Sequence, residues 1–118
     1  MAEHNLLGKK GEEIAQQYLV SHGFKIIATN WLFNHKEIDI IAWEGEILVF
    51  VEVKTRTENY WGNPEEFVSK KKQKLLIIAA ESYINEIKFS GESRFDIISI
   101  LLDKEGNHIE HIKEAFYP

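Results

Sequence analysis

The chain has 118 residues, of which 44% are hydrophobic and 28% charged, with no cysteine and a formal net charge of −5. This composition is typical of a globular domain and argues against disordered and fibrous proteins, while the missing cysteines exclude disulfides, thiol catalysis and cysteine-based zinc sites. No apolar run approaches the roughly 20 residues that span a bilayer, and the N-terminal residues lack the apolar block of a signal peptide. We therefore expect a single cytoplasmic domain over residues 1–118, with no membrane partner.

The first predicted element is an amphipathic helix over residues 5–22, in which apolar side chains recur on one arc at helical spacing. Gly11 and Ala15 belong to this arc and keep it shallow, so another element can approach the helix backbone closely. Gly23 suits the left-handed position that ends a helix.

Three strands follow, each rich in β-branched and aromatic residues. The turns between them, at 34–35 and 44–45, are short. Parallel strands need longer crossovers, so these strands should form an antiparallel meander. They are predicted over residues 24–33, 36–43 and 46–56.

Residues 57–64 hold turn formers and are predicted as a loop, after which a helix runs from its N-cap Ser69 to residue 87. This helix is apolar on more than one side, which suggests that it is covered on two faces. As a crossover it would place a fourth strand, over 94–102, parallel to a strand of the meander, and residues 108–116 would form a final edge strand. The order αβββαββ predicts an α/β fold, with a mixed sheet flanked by helices.

Three charged residues stand inside the most apolar part of the chain, where charge is costly. Asp39 lies between two isoleucines, and Glu52 and Lys54 alternate with valines. Because side chains alternate along a strand, Glu52 and Lys54 should project from one face, and the short turn before the third strand brings Asp39 alongside Glu52. The pattern predicts two carboxylates converging beside an ammonium group.

Hard cations such as Mg²⁺ or Mn²⁺ prefer oxygen ligands of this kind. We expect Asp39 and Glu52 to be ligands, with the Val53 carbonyl as a third, and Lys54 to orient the attacking water and offset charge on a phosphate. Glu12 borders the apolar arc of the first helix, so it can reach the sheet and bind a second metal or a water molecule. The alternative is a cross-strand ion pair on a half-exposed sheet, because D-x(12)-E-x-K alone is a permissive pattern.

Several motifs stand in order along the chain: Gly11-Glu12-x-x-Ala15, Glu37-Ile38-Asp39-Ile40-Ile41, Phe50-Val51-Glu52-Val53-Lys54-x-Arg56, Lys71, Arg94-Phe95-Asp96 and Ala115-Phe116. In combination they resemble the YraN-like family of uncharacterised bacterial proteins, from about Gly8 to Phe116. That family is similar to the restriction-endonuclease-like, PD-(D/E)xK superfamily, and close in style to archaeal Holliday-junction resolvases.

The resemblance implies a restriction-endonuclease-like core and catalytic roles for Glu12, Asp39, Glu52 and Lys54, as the acidic helix residue, the metal aspartate, the metal glutamate and the catalytic lysine. The family usually has a glycine before Glu-Ile-Asp, whereas Lys36 stands there in this chain and adds a cation beside the site. Fold follows from such a likeness more firmly than activity.

Nucleic acid is the expected partner, and the sequence favours DNA over RNA without deciding between them, although a net charge of −5 is not that of a protein that coats nucleic acid. Local phosphate contacts decide affinity, and basic residues do cluster near the site. Tyr60 and Trp61 are candidates for stacking on bases. The predicted nucleic-acid contacts are Arg56, Lys36, Lys71, Lys74, Tyr60 and Trp61.

The remaining polar groups favour structural roles. His108 and His111 should point to opposite faces of a strand and make a poor metal pair, and Arg94 with Asp96 is interpreted as a buried brace. No glycine-rich phosphate loop is present, so a nucleotide cofactor is not expected.

Three functions stay open from the sequence: a Mg²⁺- or Mn²⁺-dependent endonuclease acting on branched or damaged DNA, a module that binds nucleic acid without cutting, and a protein-interaction module. A homodimer would suit a junction-cleaving enzyme, which needs two active sites.

Overall fold

The computed structural model describes the backbone of residues 2–57 and 68–118, and the side chains of 6–57 and 68–118. Seven elements follow one another in the predicted order αβββαββ. They are α1 (Ala2–Ser21), β1 (Lys25–Phe33), β2 (Lys36–Glu44), β3 (Ile47–Thr57), α2 (Lys70–Ile87), β4 (Ser93–Asp103) and β5 (Gly106–Phe116). Within the described ranges, no helix is long and apolar enough to cross a membrane.

The five strands form one sheet in the order β1-β2-β3-β4-β5. Neighbouring strands are antiparallel except β3 and β4, which are parallel. The crossover helix α2 accounts for this exception, because it returns the chain to the edge from which β3 started. The α/β prediction with a mixed sheet is confirmed, and the architecture is compatible with a restriction-endonuclease-like core.

Side chains of β3 alternate between the two faces of the sheet, and each face carries a helix. Val49, Val51 and Val53 join the apolar cluster beneath α1. Leu48 and Phe50 join the cluster beneath α2. Since the period of a strand is two residues, this alternation places the next members of the second row, Glu52 and Lys54, on the α2 face. The prediction that they share one face, opposite the valines, is confirmed.

Helix α1 lies very close to β3 at Gly11. A Cβ atom built on Gly11 would lie only 1.7 Å from the Thr55 hydroxyl oxygen, and Ala15 one turn later is fully buried. The prediction of a shallow helix face is therefore confirmed, as is the left-handed Gly23 at the helix end, with φ of 88°.

Helix α2 begins as predicted, since Ser69 has an extended backbone and its hydroxyl oxygen accepts from the amide of Lys72.

The expectation that the helix is covered on two faces is wrong for the part of the chain described. Leu75 and Ile78 are 44% and 51% exposed, because the sheet covers one side and no described residue covers the other. The buried side comprises Leu76, Ala79, Ala80 and Tyr83.

A buried polar network joins β4 and β5 around Asp96, which pairs with Val51 in the parallel ladder. The fully buried Asp96 carboxylate accepts from Arg94 Nε at 2.9 Å and from His111 Nε2 at 2.7 Å. Burial opposes ionisation of Asp96, but these hydrogen bonds outweigh it and hold the pKa of the carboxyl below its ordinary value. The interpretation of Arg94 and Asp96 as a structural brace is confirmed. His108, by contrast, points to the other face and pairs with Asp103.

Candidate functional site

The candidate site lies where β2 and β3 separate. Their ladder of paired residues runs from Glu44 and Ile47 to Ile40 and Val51, and no pair follows. Beyond that point the backbone amide of Val53 donates to Asp39 Oδ2 at 2.8 Å. The Val53 amide is thus satisfied by a side chain instead of by the backbone of β2. This hydrogen bond fixes the Asp39 carboxyl group between the two strands.

Asp39 and Glu52 form a pair of buried carboxyl groups, only 9% and 4% exposed. Burial, together with the neighbouring Glu52 carboxylate, raises the pKa of Asp39 to about 9. Burial also opposes ionisation of Glu52, but its hydrogen bond with Asp39 and the charge of Lys72 outweigh this and lower its pKa. The pair therefore holds one proton between its two groups near neutral pH, with that proton on Asp39.

Glu12 and Glu37 extend this pair into a cluster. One carboxylate oxygen from each of Glu12, Glu37 and Asp39 lies within 4.8 Å of the others. The amide of Asn30 donates to both Glu12, at 2.8 Å, and Glu37, at 2.6 Å. Burial and the charges of Glu37 and Glu52 raise the pKa of Glu12, against the effect of Asn30. Asn30 of β1 thus links the carboxylate of Glu12 on α1 to that of Glu37 on β2.

Two lysines face the carboxylates from the α2 side of the sheet. The Lys72 ammonium lies 2.7 Å from Glu52 Oε2. Lys54 is partly buried next to it. Burial and the adjacent Lys72 charge lower the pKa of Lys54, against the opposing effect of Glu52. The ammonium group of Lys54 therefore loses its proton more readily than that of an exposed lysine.

The structure brings the predicted core of the site together. Glu12, Asp39, Glu52 and Lys54 come from three different elements and influence one another's pKa values. Val53 takes part through its amide, which donates to Asp39, and its predicted role as a carbonyl ligand stays a prediction.

The residues predicted to contact nucleic acid differ in how closely the structure associates them with these four residues. Lys36 is close enough for its charge to lower the pKa of Glu52. Arg56 follows Lys54 by two residues on β3, and Lys71 and Lys74 are exposed on the first turns of α2. Tyr60 and Trp61 lie outside the described residues.

Sequence reasoning missed Glu37, Asn30 and Lys72. Glu37 stands two positions before Asp39, so the alternation of β2 was enough to place both carboxylates on one face. Lys72 lies within a run of lysines, where nothing in the sequence singles out the one that turns inward. Asn30 has a left-handed backbone, with φ of 51°, which the sequence pattern of a strand does not predict.

The residues present fit a Mg²⁺ or Mn²⁺ ion. Such ions prefer carboxylate oxygens and retain several water molecules, and the cluster offers carboxylates from α1, β2 and β3 without sulfur or imidazole. The raised pKa of Asp39 also fits a metal ion at this site. A bound dication would stabilise the ionised carboxylate, which burial destabilises.

Comparison with known proteins places the chain in a family. The model of a family described as "Uncharacterised protein family UPF0102" matches residues 11–100. The chain belongs to the UPF0102 family. This agrees with the YraN-like resemblance seen in its motifs, and the matched segment contains Glu12, Asp39, Glu52 and Lys54.

Several UPF0102 relatives match over nearly the full length of both proteins. A UPF0102 protein of Christiangramia forsetii is 46% identical over 117 residues, covering 99% of this chain and 98% of its own. A Bacteroides fragilis member is 47% identical over 119 residues, covering 100% and 98%. One from Parabacteroides distasonis is 41% identical over 117 residues, covering 99% and 97%.

Proposed function

We propose that this UPF0102 protein is a metal-dependent endonuclease that hydrolyses phosphodiester bonds in DNA, with branched or damaged DNA as its preferred substrate. One observation carries the proposal. Asp39 and Glu52 are buried as a pair at the point where two strands separate, beside the partly buried Lys54. Burial of two adjacent carboxyl groups is costly for the fold, so a purely structural role explains it poorly.

Asp39 and Glu52 would hold Mg²⁺ or Mn²⁺, and Glu12 and Glu37 would contribute further oxygens from the side of Asp39, within 4.8 Å of its carboxylate. The ion, when bound, supplies Lewis acidity toward the phosphodiester and toward the attacking water. Asp39 is held in place by the Val53 amide, so its carboxyl group keeps its orientation before any ligand arrives.

Lys54 has a separate role from the carboxylates. Its ammonium group stands beside Glu52 on the same face, where it can orient the water and balance negative charge on the phosphate. Because its pKa is lowered, Lys54 can also exchange a proton more readily than an exposed lysine does.

The surrounding cations support a nucleic-acid substrate. Lys71 and Lys74 are exposed on α2, and Lys36 and Arg56 flank the carboxylates on β2 and β3. A phosphate backbone brought to the carboxylates would meet these positive charges, although the chain as a whole is acidic. DNA binding by this surface is part of the proposal.

A second function, DNA binding without cleavage, is favoured by the ion pair of Lys72 with Glu52. That contact of 2.7 Å already balances the charge of Glu52 with a cation from the protein itself. A chain that had lost its metal would retain the cationic surface and bind DNA through it.

The two functions are separated by testing metal binding and cleavage together. Mn²⁺ binding is measured by calorimetry, and cleavage is measured on linear, nicked, flapped and four-way-junction DNA. The variants are Asp39→Asn and Glu52→Gln, with Glu13→Gln as control because Glu13 is exposed one residue from Glu12. Wild type and the control should bind Mn²⁺ and cut, whereas the two site variants should lose both properties.

Unchanged Mn²⁺ affinity in both site variants would refute the metal assignment. Binding of DNA by wild type and by both variants, with no cleavage in either metal, would instead support the binding module.

A further inference from the structure

Lys72 makes an ion pair that the proposed nuclease chemistry does not require. Its ammonium lies 2.7 Å from Glu52 Oε2, while its side chain is 28% exposed and that of Glu52 only 5%. The lysine therefore reaches inward from the surface of α2 to a carboxylate that is nearly inaccessible to water. It contacts an oxygen of Glu52, one of the two carboxylates that the proposed metal would need.

The backbone of Lys72 is fixed independently of this contact. Its amide donates to the Ser69 hydroxyl oxygen at 3.2 Å as part of the N-cap of α2. Only the side chain has to move for the ion pair to open, because the cap holds the helix start whether or not Glu52 is engaged. The flexible four-carbon stem of lysine suits such an exchange of partners.

The local sequence is also unfavourable for the helix. Lys70, Lys71 and Lys72 occupy the first turn of α2, which has no acidic residue. The N-terminus of a helix carries partial positive charge, so cations there are disfavoured. A break of this local rule is expected at functional positions.

We propose that Lys72 is a built-in competitor of the divalent metal: it occupies Glu52 in the metal-free protein and must withdraw when the ion binds. This inference rests on the proposed metal site and assigns its regulation. The competition keeps a buried carboxylate paired before metal arrives, since an unpaired buried charge destabilises a fold strongly. It also weakens the affinity for metal, because each ion must displace a bound ammonium.

The test measures Mn²⁺ affinity of the intact chain by calorimetry, without nucleic acid. Lys72→Met removes the competitor, and Lys70→Met removes an equal charge from an exposed position on the same turn. Measurements at about 0.15 M and about 0.5 M salt separate contact from remote electrostatics, since high salt screens exposed charges but not a buried pair. Lys72→Gln, which keeps a hydrogen-bond donor near Glu52, serves where Lys72→Met does not fold.

Removal of Lys72 should tighten Mn²⁺ binding by about tenfold at both salt concentrations, whereas Lys70→Met should stay within about twofold of wild type. Binding that appears only after Lys72 is replaced would also support the inference. If wild type binds Mn²⁺, Asp39→Asn abolishes binding, and Lys72→Met binds no tighter than Lys70→Met, the metal site stands and the competitor role is wrong. If neither wild type nor Lys72→Met binds Mn²⁺, both proposals fail.

Discussion

Replacing Asp39 with asparagine should stabilise the metal-free fold even as it removes a proposed metal ligand. Asparagine has nearly the shape of protonated aspartic acid. Its carbonyl oxygen can accept from the Val53 amide, as Asp39 Oδ2 does at 2.8 Å, and its amide can donate to Glu52. The variant thus keeps the contacts of the buried group and removes the need to protonate it.

The size of the effect follows from the pKa of Asp39, which burial and Glu52 raise from 3.8 to about 9. In the unfolded chain the group is ionised at neutral pH, so folding must take up a proton. Each pH unit above the ordinary value costs about 1.4 kcal/mol, which sets a ceiling of about 4 kcal/mol at pH 7. Relaxation of the site and proton sharing with Glu52 reduce this, so we expect a gain of about 1–2 kcal/mol.

The sign of the pH dependence is fixed by the same shift. Because the pKa of Asp39 is higher in the folded than in the unfolded chain, its contribution to the free energy of unfolding is complete below the ordinary value of 3.8. That contribution is lost as the pH rises toward about 9. Asp39→Asn should therefore match wild type near about pH 4 and gain on it steadily up to about pH 9. Urea unfolding in the presence of a chelator measures this, with Glu13→Gln as the control for loss of one acidic charge.

At about pH 8 the gain should appear as a rise in melting temperature of about 5 °C or more. A variant less stable than wild type at that pH, or a difference that does not change with pH, would show that Asp39 is ionised and stably paired in the metal-free protein.

Three further predictions concern the frame around the site. Gly8→Ala should raise the free energy of unfolding by up to about 1 kcal/mol, since the added methyl meets open space in a helix. Gly11→Ala should lower it by about 1–3 kcal/mol, because its methyl would collide with Thr55. Asp96→Asn should cost about 2–4 kcal/mol in urea melts by removing the buried carboxylate that both Arg94 and His111 contact. Because the Asp96 pKa is lowered, wild-type stability should also fall as the pH drops below about 4, and the variant should lose that slope.

Much of the fold was predictable because its signals are local. The alternation of apolar residues in β3 specified both faces of the strand, and Ser69 specified the start of α2 through its hydrogen bond to the helix backbone. The parallel pairing of β3 and β4 followed from the length of the crossover. Each of these features depends on residues close in sequence or on chain length.

The outward face of α2 was not predictable in the same way. Leu75 and Ile78 have the composition of a covered face, but whether an apolar face is covered depends on elements distant in the chain. Composition counts apolar side chains without saying which of them meet the sheet, and about half of a protein surface is apolar in any case.

The site was predicted in part for a related reason. Asp39, Glu52 and Lys54 were identifiable because charge inside apolar strands is costly wherever it occurs. Glu12 could be identified only from its position at the border of the apolar arc of α1, together with the resemblance to the YraN-like family. Lys72 was not identifiable, because it is one of several adjacent lysines, and the choice among them depends on the angle at which α2 crosses the sheet.

The energetics of Asp39 and Lys72 lead to one consistent account of the metal-free protein. Two buried carboxyl groups cannot both be ionised without compensation, so a proton rests on Asp39 and an ammonium group rests on Glu52. Both are singly charged substitutes for the positive charge that a dication would supply. Binding of Mg²⁺ or Mn²⁺ should therefore release a proton and free Lys72 together, so calorimetry in buffers of different ionisation enthalpy should detect proton release near neutral pH, and a binding enthalpy that does not depend on the buffer would contradict this account.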